Sequence, residues 1–393
     1  MPRNLIHADA IADHLGVLAS PGAILLDGDQ IISVGSVQEI GVVGDATLTQ
    51  IHGTVVPSLV NAHTHLDLSG IGIKPPKDSF VQWVEEDVLP IRFGSDESTI
   101  RAATNRGVEL LMAGGTSIVG DIAGSMCAAE IVAASPLLGT VFIEILGQGE
   151  KQESAMKHMQ QIPPTMGVQP HAPYSCSEDV YRAAVDSGLP VSTHLAETPE
   201  ELQYTMDASG PLVDLGKRLG AWDETVAKWN AHPIDAMIRV VGGARLLAAH
   251  LNYVEDRHLP MLAASNITVV YCPRASAYFG HEGHRWKEMI DAGVNVALGT
   301  DSLLCLDTPD RISVIDEMRF LHRTQDADSK TLFAMATVHG AIGLDVDPNL
   351  VTLSEGKTAG LIAFDETGDD PLVAILQSTS SPKWVFQPLF LPA

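Results

Sequence analysis

The feature that most constrains this chain is a repeated ending. Eight short apolar runs stop on His65, Asp121, Glu144, His171, His194, His250, Cys272 and Asp301. The runs are Val55 to His65, Ser117 to Asp121, Val141 to Glu144, Gly167 to His171, Val191 to His194, Leu246 to His250, Ile267 to Cys272 and Val294 to Asp301. Between them lie longer stretches of helical spacing, among them Ser98 to Met112, Ser177 to Ser187 and Thr198 to Leu219. Short buried strands alternating with helices predict an α/β fold with a parallel sheet, and eight of them predict a (β/α)8 TIM barrel. In such a barrel the strand interiors pack a core and their C-terminal ends present chemistry on one face.

Any buried strand can end on a polar residue because loops reach water, and that accounts for one or two of these endings. It does not account for four His and three acids among eight, in a chain with 15 His. The 393 residues, 45% hydrophobic and 19% charged, supply enough core for one large domain and one small one. From Gly22 to Val56 the pattern is of short β-runs broken by turns, as in Gly28-Asp-Gln. The same flavour returns at Ser354-Glu-Gly-Lys, Leu361-Ile-Ala-Phe-Asp and Lys383-Trp-Val-Phe. The expected division is therefore a barrel over 58–348 and a small β-sandwich domain shared by 1–57 and 349–393.

Forty-nine Asp and Glu against 24 Lys and Arg leave a net charge of −25, which repels nucleic acid and anionic membrane surfaces. Cys127, Cys176, Cys272 and Cys305 have neither the spacing of a metal knuckle nor the density of a disulfide scaffold, so reduced thiols are expected. The first residues lack the apolar stretch of a signal peptide, and no apolar run reaches the ~18 residues of a membrane span. The expectation is a cytoplasmic enzyme with a small-molecule substrate; homo-oligomerisation is left open.

His63 and His65 form an H-x-H pair, and two residues apart on a strand means one face. His194, His250 and Asp301 end later strands on the same expected rim. Three neutral imidazoles and a carboxylate suit Zn2+ ahead of Fe2+, whereas Ca2+ and Mg2+ want oxygen-rich sites. One divalent transition metal is thus the expected cofactor. Glu197, three residues after His194, stands where strand gives way to helix and can act as a proton shuttle beside a metal-bound water. The acids that follow it in Thr198-Pro-Glu-Glu read as ordinary first-turn acids favoured by a helix dipole.

The ordered set Val60-Asn-Ala-His-Thr-His-Leu-Asp, His171-Ala-Pro-Tyr-Ser, Thr193-His-Leu-Ala-Glu-Thr, Ala249-His-Leu-Asn, Tyr271-Cys-Pro-Arg and Gly299-Thr-Asp-Ser resembles the amidohydrolase superfamily. The branch it resembles holds the guanine, cytosine and adenosylhomocysteine deaminases and the triazine chlorohydrolases. The resemblance implies a mononuclear site with His63, His65, His194 and Asp301 as ligands, Glu197 as proton shuttle and His250 orienting the attacking water. His171 would face the substrate. The bridging lysine of binuclear relatives has no counterpart in Met166-Gly-Val-Gln-Pro-His.

After Cys272-Pro the chain reads Arg274-Ala-Ser-Ala-Tyr-Phe-Gly-His, where many relatives carry Thr or Val and then Ser-Asn. Arg274, the aromatics and His281 resemble the aminodeoxyfutalosine deaminases, whose substrate is an adenosine-like nucleoside bearing a benzoate. Arg274 would then be the cation for that anion, with Trp83, Glu144 and His281 as further substrate contacts. His158 reads as a solvated residue and His339 as a packing one.

The expected function is hydrolytic deamination of an aminopurine nucleoside or related aminated heterocycle, with release of ammonia. An amidohydrolase or chlorohydrolase acting on guanine, cytosine or a triazine ring is the alternative. A non-catalytic metal scaffold is disfavoured because it has no need of Glu197. No early strand leads into G-x-G-x-x-G and no G-x-S-x-G occurs, which excludes a dinucleotide-binding oxidoreductase and a serine hydrolase of the nucleophile-elbow type.

Overall fold

The computed structural model describes residues 3–387. Its strands in chain order are β1 (Arg3–Asp13), β2 (Gly16–Ala19), β3 (Gly22–Asp27), β4 (Gln30–Ser36) and β5 (Ala46–Pro57). Next come β6 (Leu59–Thr64), β7 (Thr116–Ala123), β8 (Leu138–Ile145), β9 (Gly167–Pro170), β10 (Ser192–Leu195), β11 (Leu246–His250), β12 (Ile267–Tyr271) and β13 (Val296–Leu298). The last strands among the described residues are β14 (Gly356–Lys357), β15 (Leu361–Phe364) and β16 (Lys383–Phe386).

Each of the eight expected runs overlaps one of β6 to β13. These form two four-stranded parallel sheets, β6-β7-β8-β9 and β10-β11-β12-β13. Single bridges link the sheets at both edges, Val168 to Val191 and Thr64 to Asp301. The period-2 alternation of a strand sorts β6: Val60 and Ala62 join a buried apolar cluster with Ile118, Ile122, Phe142, Leu247, Val270 and Ala297. Asn61 and His63 lie on the opposite face. Each fully buried aliphatic side chain is worth about 1.5–3 kcal/mol, so the slip of one residue that would bury the wrong face is strongly disfavoured.

The helices start where the sequence supplies caps. Ser177 caps Glu178–Asp186 by accepting from the Val180 N–H, and Asp96 caps Glu97–Ala113 by accepting from that of Thr99. The stretch of helical spacing over Thr198–Leu219 holds two helices, Pro199–Asp207 and Pro211–Arg218. Ala208 is left-handed at the end of the first, and Gly210-Pro211 opens the second.

Strands β1 to β5 and β14 to β16 form one eight-stranded sheet ordered β14-β4-β3-β1-β5-β15-β16 with β2 on β1. β15 pairs antiparallel with β5, and β14 with β4. The pairings describe a single sheet. One of its central strands, β1, went unread in the sequence because Ala, His and Asp alternate there and carry little β-preference. Apolar clusters lie around Ile6, Ile24 and Val55 and around Leu5, Ala23 and Leu25, which are neighbours in sequence and so lie on opposite faces. No helix among the described residues is long and apolar enough to cross a membrane. All four cysteines are free.

Candidate active site

The C-terminal ends of β6, β10, β11 and β13 bring five of the expected residues together. His63 lies inside β6 and His65 just past its end, His194 in β10, His250 at the last residue of β11, and Asp301 three residues after β13. The imidazole of His63 stands 5.1 Å from that of His65, 5.0 Å from His194 and 5.6 Å from His250, centroid to centroid. Nε2 of His65 is 3.3 Å from Nε2 of His194 and 3.6 Å from Oδ1 of Asp301. Donor atoms of His63, His194 and His250 lie within 4.8 Å of one another, as do those of His63, His65 and Asp301.

Local bonds hold this convergence. The main-chain N–H groups of Thr300 and Asp301 both donate to the His63 carbonyl, at 3.0 and 3.1 Å, and Thr64 Oγ1 donates to the Asp301 carbonyl at 2.9 Å. A side chain at Gly299 would meet the His63 carbonyl at 2.8 Å, so this close approach needs glycine. Asp301, His250, Leu251 and Ala196 all sit at positive φ, between 48° and 77°. Such backbone costs on the order of 1–3 kcal/mol per residue and persists only where its surroundings over-determine it.

The donor set fits a cation. Both ring nitrogens of His63 and Nε2 of His250 are buried and have no hydrogen-bond partner among the described residues, which is costly unless something takes up the bare lone pairs. The Nδ1–H of His194 donates to the His171 carbonyl at 3.0 Å, a tautomer that leaves Nε2 bare and facing His65. Burial holds His63, His65, His194 and His250 well below the ordinary imidazole range, so all four are neutral. Burial also lifts Asp301 to about 6, against the pull of the Ser302 N–H.

Glu197 lies beyond β10, with Oε1 3.6 Å from Nε2 of His250. Burial first, and then the nearby carboxylates of Asp301, Glu201 and Glu200, raise it well above the ordinary carboxylate range. A carboxyl with a raised pKa can both give and take a proton near neutral pH.

The other expected contacts are distributed unevenly. His171 adjoins the cluster, its ring 4.8 Å from that of His194 and its Nδ1 2.8 Å from Ser175 Oγ. Glu144, half-buried near the end of β8, lies 3.7 Å from Arg92. Trp83 is buried against Phe80 and Phe279 at centroid distances of 5.9 and 5.0 Å, with its indole N–H unpartnered among the described residues. His281 stands 2.9 Å from the Tyr253 hydroxyl, and Nε2 of His284 donates to the His250 carbonyl at 2.8 Å.

Arg274 does not turn toward the cluster. It is 6% exposed: Nε donates to Glu317 at 2.6 Å, one Nη to Asp307 at 2.7 Å and to Thr308 at 3.0 Å, and the other Nη to the Ser313 carbonyl at 3.4 Å. Every guanidinium nitrogen is committed within the protein. The cation that does approach the cluster is Arg92, which the sequence reading passed over. It pairs with Asp67 and comes within 3.3 Å of Nδ1 of His65. Its place in the short helix Leu89–Gly94 carries no motif that could have marked it.

Residues 54–388 match the Amidohydrolase family, and the chain belongs to that family. Over 361 residues it is 27% identical to the aminodeoxyfutalosine deaminase of Deinococcus radiodurans, covering 86% of this chain and 84% of that one. Over 371 residues it is 25% identical to the 5-methylthioadenosine/S-adenosylhomocysteine deaminase of Pyrococcus abyssi, covering 87% and 80%. The crystal structure of Helicobacter pylori aminofutalosine deaminase in complex with methylthio-coformycin superposes with a TM-score of 0.77 at 19% identity, covering 96% of this chain and 97% of that one.

Proposed function

We propose that this protein is a hydrolytic deaminase of aminopurine nucleosides. The observation that carries the reading is the cluster of unpartnered buried imidazole nitrogens next to a carboxyl of raised pKa. Relatives named as deaminases of adenosine-like nucleosides support the substrate class.

In this reading His63, His65, His194 and Asp301 hold one divalent cation, Zn2+ ahead of Fe2+ by the chemistry of the donors. When bound, such a cation acidifies water and stabilises negative charge on oxygen. The work of the chain lies around it. Glu197 accepts a proton from the attacking water and returns it to the departing nitrogen, which leaves as ammonia. His250, 3.6 Å from Glu197, orients that water. His171, Trp83, Glu144 and His281 contact the substrate. Arg274 belongs to the scaffold, because four of its five N–H donors are already taken by Glu317, Asp307, Thr308 and the Ser313 carbonyl.

We read β6 to β13 as one closed eight-stranded barrel, for which the bridges at both sheet edges are the support. The barrel domain is 58–348, and 1–57 with 349–393 form the small domain, its sheet folding over to make the sandwich.

A screen for ammonia release decides the function. Adenosine, 5′-methylthioadenosine, S-adenosylhomocysteine and 6-aminodeoxyfutalosine are the substrates offered, with guanine and a chlorotriazine as competitors. Turnover of at least one aminopurine nucleoside is expected. Turnover of guanine or the triazine alone refutes the substrate class while leaving the hydrolytic chemistry intact.

A further inference from the structure

Strand β10 ends at Leu195 and the next helix begins at Pro199. The chain must therefore turn within a few buried residues, and it does so with Ala196 at φ 48°. A turn of this kind leaves main-chain N–H groups that neither strand nor helix can satisfy, and burial denies them water. Glu201 supplies the missing acceptors. Its carboxylate takes the Ala196 N–H at 2.9 Å and the Glu197 N–H at 2.8 Å, one on each oxygen, from a side chain with no exposed surface. On the other side, Asn252 Nδ2 donates to the Glu197 carbonyl at 2.9 Å, and Asn252 Oδ1 accepts from Ser276 Oγ at 2.6 Å.

We propose that Glu201 and Asn252 are positioning residues that clamp the main chain of Glu197 from both sides and so aim its carboxyl at the reacting centre. An ordinary capping box does not explain the contact. Thr198 already caps the helix, its Oγ1 accepting from the Glu201 N–H at 3.2 Å. The usual return bond would run from the Thr198 N–H to Glu201, yet Glu201 reaches one and two residues further back. The clamp also joins separate elements, since Asn252 follows β11 and Ser276 lies in the helix Pro273–Tyr278. Register among these elements is thus transmitted to one carboxyl group. The proposal rests on the reading of Glu197 as the proton carrier.

The test uses the metal-loaded full chain and an aminopurine nucleoside, and reads kcat, KM, bound metal and thermal midpoint for four variants, one of them Glu197→Gln. Glu201→Gln keeps the shape but offers one acceptor oxygen for two N–H groups. It is expected to lower kcat by about 10-fold to 100-fold with KM changed by less than about two-fold, because small misplacement of a reacting group costs turnover and not uniform binding. Asn252→Ala is expected to give the same split. Asp207→Asn removes an exposed carboxylate from the same helix without touching the clamp, and its kcat should stay within about two-fold of wild type.

Equal losses in Asp207→Asn and Glu201→Gln would mean that any lost carboxylate of this helix lowers turnover, and would overturn the proposal. So would wild-type kcat in Asn252→Ala, a result that decides the matter even if Glu201→Gln does not fold. Wild-type turnover in Glu197→Gln removes the proton-carrier reading itself. An inactive Glu197→Gln beside fully active Glu201→Gln and Asn252→Ala removes the clamp alone.

Discussion

At the scale of single residues, Glu197 and Arg274 contrast in what their surroundings demand. Glu197 is buried beside His250, and replacing it with the near-isosteric amide should leave the metal in place. Loss of general acid–base catalysis predicts a drop in turnover of at least about 100-fold for Glu197→Gln, checked by steady-state kinetics with elemental analysis of the same sample. Near-normal turnover with metal retained would move the shuttle elsewhere. Arg274 is the opposite case, a buried cation whose partner Glu317 is fully buried and held by burial at about 7 despite the guanidinium beside it. Arg274→Ala strands that carboxyl, and breaking a buried pair costs about 3–5 kcal/mol, read by denaturant unfolding. Any loss of kcat/KM should fall equally on carboxylated and neutral nucleosides. A selective loss on the carboxylated one would restore Arg274 to the substrate site.

Among secondary-structure elements, the start of the helix Pro233–Val241 shows how a cap can carry pH dependence. His232 is its N-cap, with Nδ1 accepting the Ile234 N–H at 3.3 Å, and its ring stacks 4.3 Å from that of His258. Nδ1 of His258 in turn accepts the Glu255 N–H at 2.9 Å. Both acceptors work only while unprotonated. Burial, with His258 and Arg257 adding to it against Glu255 and Asp235, lowers His232 from 6.5 to about 4. A histidine lowered on folding binds its proton more readily when unfolded. Its stabilising contribution is therefore complete above about pH 6.5 and is lost as pH falls from there through 4. His232→Asn keeps a capping oxygen but no titration. It should retain wild-type stability at pH 7 within about 1 kcal/mol and show a shallower fall between pH 6.5 and 4.5, measured by urea unfolding at each pH. An unchanged slope would place the acid sensitivity elsewhere.

Across the whole molecule, a cation held by the proposed ligands from β6, β10 and the segment after β13 would tie together parts of the chain far apart in sequence. A ligand that binds only the folded state raises stability by RT ln(1 + [L]/Kd), about 4 kcal/mol at a thousandfold excess over Kd. Chelation should abolish turnover and lower the thermal midpoint, and one equivalent of Zn2+ per chain should restore both. A requirement for a second equivalent would exclude the single-metal arrangement.

Periodicity and residue type made the eight central strands, the helices between them and the His and Asp endings legible from sequence. These are local properties: a strand shows in its apolar run, and a metal ligand must be one of a few residue types. Three-dimensional partners decided the rest. Arg274 looked like a free cation in sequence because Glu317, forty-three residues away, was invisible beside it. Arg92 and the Glu201 contact escaped notice for the same reason, and Glu201 looked like any first-turn acid. Which nitrogen of His194 is bare follows from the carbonyl of His171, on the preceding strand's end. A sequence states which donors and acceptors a chain owns; only packing fixes which of them find each other, because burial removes water as the alternative partner.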